Sequence, residues 1–314
     1  MLHIHLFGRI RVAFTDEPSE VNITPTAQRV LAFLLLQPHR FYQREVLATL
    51  CWGDRSEEQA RACLNTTLWR LRRSLEPEST GSSSYLITTS SGEIGFNWES
   101  DHWLDLTIFE ACATRILAQP PQSLAAEQAQ MLESILPLYA GDLFEGIYDD
   151  WAIQERERLL TYYLDCLAHL MRYYGYQGSY EQSLRFGQLL LRRDPLREEI
   201  HREVMRLHWQ AGQRSLAIQQ YENCQKLLAE ELGIAPMPET DTLYTQLLSG
   251  VEPPQTTPVN GSTAPRIEPN SRPPQFDDAF QQLVQAMQKL DAAREDLGQA
   301  MQQVERLYAE RRRK

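Results

Sequence analysis

The stretch SEEQARACLNTTLWRLRRSL, residues 56–75, followed by YLITTSSGEIGFNW, residues 85–98, decides the fold. Ser56 with Gln59 three residues on has the spacing of a capping box, which starts a helix. Ala60, Leu64, Leu68, Leu71 and Leu75 then form one apolar stripe at helical period. The opposite side of the wheel carries Asn65, Thr66, Trp69, Arg70 and Arg73. Forked guanidinium donors and an amide are the groups that read base edges and grip phosphates in a major groove. Tyr85–Thr89 and Ile94–Trp98 alternate like strands around a Ser90–Glu93 turn. Helix followed by hairpin is the outline of a winged helix-turn-helix, whose natural partner is double-stranded DNA.

Working outward toward the N-terminus, Leu2, Ile4, Leu6 and then Ile10, Val12, Phe14 alternate as strands, with a further strand over 20–23. Thr24-Pro25 supplies a cap and a proline in the first helical turn, opening a helix from Thr26 to Leu36. A second helix over about Gln43 to Leu50 leads through Cys51–Arg55 to the capped helix.

Charge refines the picture. The 314 residues carry a net −11, which looks wrong for a nucleic-acid binder. Residues 1–100, however, hold 10 basic and 11 acidic groups, while residues 101–250 hold 12 and 22. The acidity therefore sits in the middle of the chain, and a groove contact depends on charge within a Debye length of about 10 Å. No long apolar run marks a membrane span, and Met1–Arg9 alternates as a strand rather than a signal peptide. Five scattered cysteines without a CxxC pair fit neither a disulfide framework nor a zinc site, and suit a cytoplasmic protein.

From Leu104 to about Ser249 the pattern is almost wholly helical. Gly178 and Gly212 lie 34 residues apart, and Tyr180/Arg214, Leu184/Ile218 and Leu170/Val204 repeat at the same offset. A 34-residue period of paired helices is the tetratricopeptide (TPR) signature. Seven of the 17 prolines fall between Val251 and Gln275, a linker spanning on the order of 25–30 Å if flexible. From Phe276 to Lys314 apolar residues recur at alternating spacings of 3 and 4, a coiled-coil heptad. Its seam, with Phe280, Leu283, Met287, Leu290, Leu297, Met301 and Val304, predicts a homo-oligomer through the C-terminal helix. The small residues Ala279, Ala286, Ala293 and Ala300 beside the seam suit antiparallel packing or a higher oligomer as well as a parallel dimer.

Ile4-His-Leu-Phe-Gly-Arg-Ile-Arg-Val12, Leu50-Cys-Trp-Gly-Asp54, and Ala60-Arg61 followed by Leu68-Trp-Arg-Leu-Arg-Arg-Ser-Leu75 resemble the OmpR/PhoB-type DNA-binding domain. They look most like its version in the Streptomyces antibiotic regulatory protein family. Tyr139-Ala-Gly-Asp-Leu143, Asp150-Trp-Ala152, Asp194-Pro-Leu-Arg-Glu198, Tyr221 and Glu231-Leu-Gly-Ile-Ala-Pro236 resemble that family's bacterial transcriptional activation domain, which is TPR-like. The resemblance covers about residues 1–250. It implies an activator that binds direct repeats near promoters and recruits RNA polymerase, with Trp52, Gly53, Asp54 and Arg55 as the polymerase-facing turn. The hairpin tip departs from the pattern, having no Lys or Arg to enter a minor groove.

The predicted fold class is therefore mainly α: a winged helix-turn-helix over 1–100, a TPR-like α-helical domain over 101–250, a proline-rich linker over 251–275 and a coiled-coil helix over 276–314. Arg72, beside the stripe, fits a phosphate or a structural contact. Trp69 fits contact with the hairpin, a partner or a DNA sugar, and fits burial in its own domain equally. No nucleophile, metal or nucleotide motif stands in the chain, so no enzyme activity and no cofactor is implied. His201 and His208, seven apart, read as ordinary histidines without a third ligand. The alternative reading is a TPR and coiled-coil adaptor whose winged domain binds protein rather than DNA.

Overall fold

The computed structural model describes residues 1–15, 20–76 and 84–249. Strand β1 (Leu2–His5) buries Leu2 and Ile4 and pairs antiparallel with β2 (Arg11–Phe14), Ile4 facing Val12. The predicted strand over 20–23 shrinks to a single bridge, Ala13 to Glu20. Three helices follow: α1 (Pro25–Leu35), α2 (Arg44–Trp52) and α3 (Glu57–Leu75), then the hairpin β3 (Leu86–Thr88) and β4 (Ile94–Phe96). A fifth strand, β5 (His102–Leu104), lies parallel to β1 and completes a sheet in the order β2-β1-β5. Sequence alone places Leu104 at the start of the helical region. Three residues are too few for a period-2 signal, and their pairing partner is a hundred positions away.

The remainder is helical: α4 (Asp105–Leu117), α5 (Ala126–Ile135), α6 (Asp150–Tyr176), α7 (Tyr180–Arg193), α8 (Glu198–Gln210), α9 (Arg214–Glu231) and α10 (Pro238–Ser249). The 34-residue offset seen in the sequence reappears in the backbone. Helices α6 and α8 end 34 residues apart, and α7 and α9 start 34 apart. The turn bonds Gly178 N–H to Gly175 O and Ser179 N–H to Tyr174 O recur as Gly212 to Trp209 and Gln213 to His208. Gly178 and Gly212 both take the left-handed conformation that closes these turns, φ +71° and +73°. Close packing fixes a third glycine: a Cβ on Gly187 would lie 2.7 Å from Val204. His201 and His208 are buried, bonded to Pro195 O and Gln220, and to Gln213, respectively. Among the described residues no helix is long and apolar enough to cross a membrane, and no group of three potential metal ligands occurs. The predicted linker and heptad tail lie outside the described residues.

A seam joins the N-terminal sheet to the helices. Asp105, the first residue of α4, is almost wholly buried and accepts hydrogen bonds from the N–H groups of Leu6 (2.9 Å), Phe7 (3.2 Å) and Leu106 (2.7 Å). The Leu6 and Phe7 groups are the donors left over just past the end of β1, where its pairing with β2 stops. On the other side Phe7 bridges Leu143, and the N–H groups of Phe144 and Glu145 donate to Leu6 O and Gly8 O. Phe7 packs against Phe109 and Tyr139, with ring centres 5.2 and 4.9 Å away.

Burial pushes the Asp105 carboxyl up to about 6, against the pull of the backbone N–H groups that bind it. His5 stands 3.8 Å off, but its own pKa is lowered by burial, so the contact is not an ion pair at neutral pH. Between about pH 4 and 6 the folded chain keeps a proton that the unfolded chain has released. Stability contributed by Asp105 thus falls as pH rises through that window and is level above it. Going from pH 7 to 5 should raise this contribution by about 1 kcal/mol. Histidines with lowered pKa (His3, His5, His169, His201) oppose the trend. Subtracting urea-denaturation free energies of Asp105→Asn from those of the wild type isolates the carboxyl; a difference unaltered between pH 7 and 5 refutes this account.

Candidate nucleic-acid interface

Ser56 caps α3 by accepting the Gln59 N–H at 3.4 Å, one half of the capping box. Glu57 and Glu58 in the first turn and Arg72 and Arg73 in the last complement the helix dipole. Ala60, Leu64, Leu68, Leu71 and Leu75 are all buried, and Thr67 joins them. Each buried leucine contributes about 1.5–3 kcal/mol, enough together to fix the roll of a helix whose other faces are polar. Asn65, Thr66, Trp69, Arg70 and Arg73 are consequently exposed.

Trp69 is 58% exposed, which removes the reading of it as part of its own core. The Arg73 guanidinium lies over its ring, 5.4 Å from the centroid. Such stacking holds the guanidinium at the surface while leaving its N–H edges free to bond. Trp69, Arg70 and Arg73 line a shallow groove of about 380 Å³ with Asn22–Thr24 and Ala27 at the start of α1. The Thr66 hydroxyl donates back to Ala62 O and keeps its lone pairs outward. Arg72 is turned the other way: half-buried, it donates to the Thr88 hydroxyl at 2.7 Å and ties α3 to β3. Arg61 is held by Glu45 (3.1 Å) and Glu57 (2.9 Å). Its charge is locally offset.

The hairpin is seated by Tyr42, which exchanges both backbone hydrogen bonds with Ile94 at 2.9 Å. Its tip closes through Gly92 at φ +85°, and Glu93 rather than a cation stands there, bonded to Ser91. Gly95 is needed for the close approach: a Cβ would lie 2.7 Å from the Phe41 ring and 2.9 Å from Arg40 O. The turn between α2 and α3 presents Gly53, Asp54 and Arg55 to solvent, with Arg55 donating to Cys63 Sγ at 3.1 Å. Trp52 does not share that turn. It is the last residue of α2 and is buried, because its indole completes the apolar face of that helix.

Two arginines that the periodicity did not single out organise this region. Arg44 in α2 donates to Gly92 O (3.2 Å) and to Asn65 Oδ1 (2.6 Å). Arg29 in α1 caps the end of α2 through Leu50 O (2.9 Å) and Cys51 O (3.3 Å), and also binds Asp149, the residue capping α6. Trp151 of α6 packs edge-on against Phe33 of α1 and Phe144. Asp149-Asp150 is thus a helix start. No sequence pattern foretells Arg29 or Arg44, since both bond to groups brought near only by folding.

The comparisons with known proteins agree with this arrangement in both halves. Residues 18–94 match the family described as transcriptional regulatory protein, C terminal, and residues 104–248 match the bacterial transcriptional activator domain. In this order they give the chain the arrangement of the Streptomyces antibiotic regulatory proteins. It pairs an OmpR/PhoB-type DNA-binding winged helix with the activator domain. Regulatory protein AfsR of Streptomyces coelicolor is 25% identical over 275 residues, covering 88% of this chain and 27% of that protein. The chain therefore spans about a quarter of that relative's length. Transcriptional regulatory protein MoaR1 of Mycobacterium tuberculosis is 26% identical, over 74% of this chain and 77% of its own. Among solved structures, Mycobacterium tuberculosis EmbR in complex with a low affinity phosphopeptide has the same fold, with TM-score 0.64 and 19% identity. The match covers 79% of this chain and 65% of EmbR.

The seating of the hairpin gives a direct check. Gly95→Ala should force Phe41 and the 40–41 backbone aside at a cost of roughly 1–3 kcal/mol. An unchanged thermal midpoint for this variant would show that the close approach is not maintained in solution.

Proposed function

We propose that the chain is a cytoplasmic transcriptional activator whose α3 lies in the major groove of promoter repeats. Asn65, Thr66, Trp69, Arg70 and Arg73 meet the bases and phosphates, and Arg72 braces the hairpin behind them. The observation that carries this reading is the roll of α3, with its leucines inward and Trp69, Arg70 and Arg73 outward on an open surface. The exposed turn Gly53–Arg55 is the surface offered to RNA polymerase. Helices α6–α10, of which α6–α9 carry the 34-residue backbone repeat, form a TPR-like platform for a neighbouring protomer or a regulatory partner. The heptad residues Phe280, Leu283, Met287, Leu290, Leu297, Met301 and Val304 join copies of the chain. The function boundaries follow as 1–100 for DNA, 101–250 for activation, 251–275 for reach and 276–314 for assembly.

A protein-binding adaptor is the competing reading, favoured only by the near-neutral charge of residues 1–100. Titration with upstream genomic DNA separates the two. Arg70→Ala with Arg73→Ala should abolish promoter binding with the circular dichroism spectrum unchanged. In the non-specific binding that remains, the dependence of log affinity on log salt should be shallower by about 0.9 for every phosphate that is no longer neutralised. Wild-type affinity and slope in the double variant would sink the assignment of α3.

A further inference from the structure

Arg44 bridges two elements of the interface at once. Its Nε holds the wing turn through Gly92 O, and its Nη1 holds Asn65 on the outward face of α3. A guanidinium carries donors and no acceptor, so the amide atom it meets at 2.6 Å has to be the carbonyl oxygen. The orientation of the Asn65 amide is therefore set by the chemistry of its partner. The oxygen is drawn toward α2 and the wing, and the NH2 group points away from them. Among the described residues no group accepts from that NH2.

This matters for what the amide can read. An asparagine that recognises adenine uses both ends together, accepting from N6 and donating to N7. Turning the Asn65 amide to lay both ends along a base would stretch its charge-assisted bond to Arg44, and through Arg44 the anchor of the wing. Guanine presents two acceptors, O6 and N7, in the major groove and asks for donors only. We infer that Arg44 is a positioning residue that makes Asn65 a reader of guanine rather than adenine. The inference rests on the reading of α3 as the groove helix, and adds to it a rule for one base. It also assigns the wing a task suited to a tip that carries a glutamate and no cation: it buttresses a side chain on α3 instead of entering a minor groove itself.

Selection of bound duplexes from a randomised pool by the full chain tests this. Comparing wild type with Asn65→Ala identifies the position that depends on Asn65, where the wild type should prefer guanine by about tenfold and the variant should lose the preference. Arg44→Leu frees the carbonyl and should shift the preference at that same position from guanine to adenine, with other positions unchanged. Adenine at the Asn65-dependent position in the wild type overturns the inference whether or not Arg44→Leu folds, as does the lack of any Asn65-dependent position. A folded Arg44→Leu that binds every sequence more weakly without changing base preference overturns it too, marking Arg44 as a plain phosphate contact. Failure of the wild type to bind any duplex overturns the DNA reading itself, and so is distinguishable from these results.

Discussion

Everything at the interface follows from the burial of one row of leucines. Leu64, Leu68, Leu71 and Leu75 are packed away almost completely. A helix has a single roll angle, so this burial also determines which residues meet solvent. Asn65, Trp69, Arg70 and Arg73 face outward because they lie between a quarter and a half of a turn from that row, irrespective of any attraction they have for a ligand. Rotation by one residue, about 100°, would put guanidinium groups into an apolar core at a cost no nearby carboxylate could offset. The face proposed to meet DNA is thereby set before a partner arrives, and its side chains need give up only their own rotamer freedom on binding.

A second constraint joins that face to the rest of the chain. Strand β1 ends with donors that β2 does not use, and the Asp105 carboxyl collects them at the first turn of α4. Arg29 makes a matching link from α1 to the cap of α6, and passes the end of α2 on the way. Sheet, hydrogen bonds and aromatic packing thus cross between the winged helix and the helical region at several independent points. The two matched families meet across a seam with β5 inside it, so the winged helix does not swing as a bead on a string. Displacing the start of α6 would pull on Arg29 and hence on α2, the helix that supplies Arg44.

The sequence carried this architecture unevenly, and the reason is the range of the interactions. Features specified by neighbours in the chain were legible: the Ser56 cap, the α3 stripe, the Asp149-Asp150 helix start and the 34-residue repeat. Each depends on contacts within a turn or on a period. Features specified by distant pairs were not. Strand β5 exists because β1 is there to receive it, and Asp105 looks like an ordinary acidic residue until Leu6 and Phe7 arrive. Arg44 and Arg29 are two among many arginines in composition, and only their hydrogen bonds set them apart. Trp52 shows the converse error: a loop-like stretch, Cys51–Arg55, conceals a last helical turn whose indole points inward.

Charge bears on how such a protein could hold DNA. The exposed cations on the α3 face are few. Arg61 is offset by two glutamates, and the wing tip adds a glutamate instead of a lysine. Each phosphate neutralised contributes only part of the salt-dependent affinity, so a single copy with this face would bind weakly at physiological salt. Under the function proposed above, occupancy then has to come from contacts between copies, where linked binding raises the effective concentration of each partner. Weak single contacts also sharpen selectivity, because a non-specific site offers the same few phosphates without the base edges. A strongly basic face would forfeit that advantage by binding any duplex, so the acidic balance of the chain is compatible with sequence-selective binding rather than an argument against it.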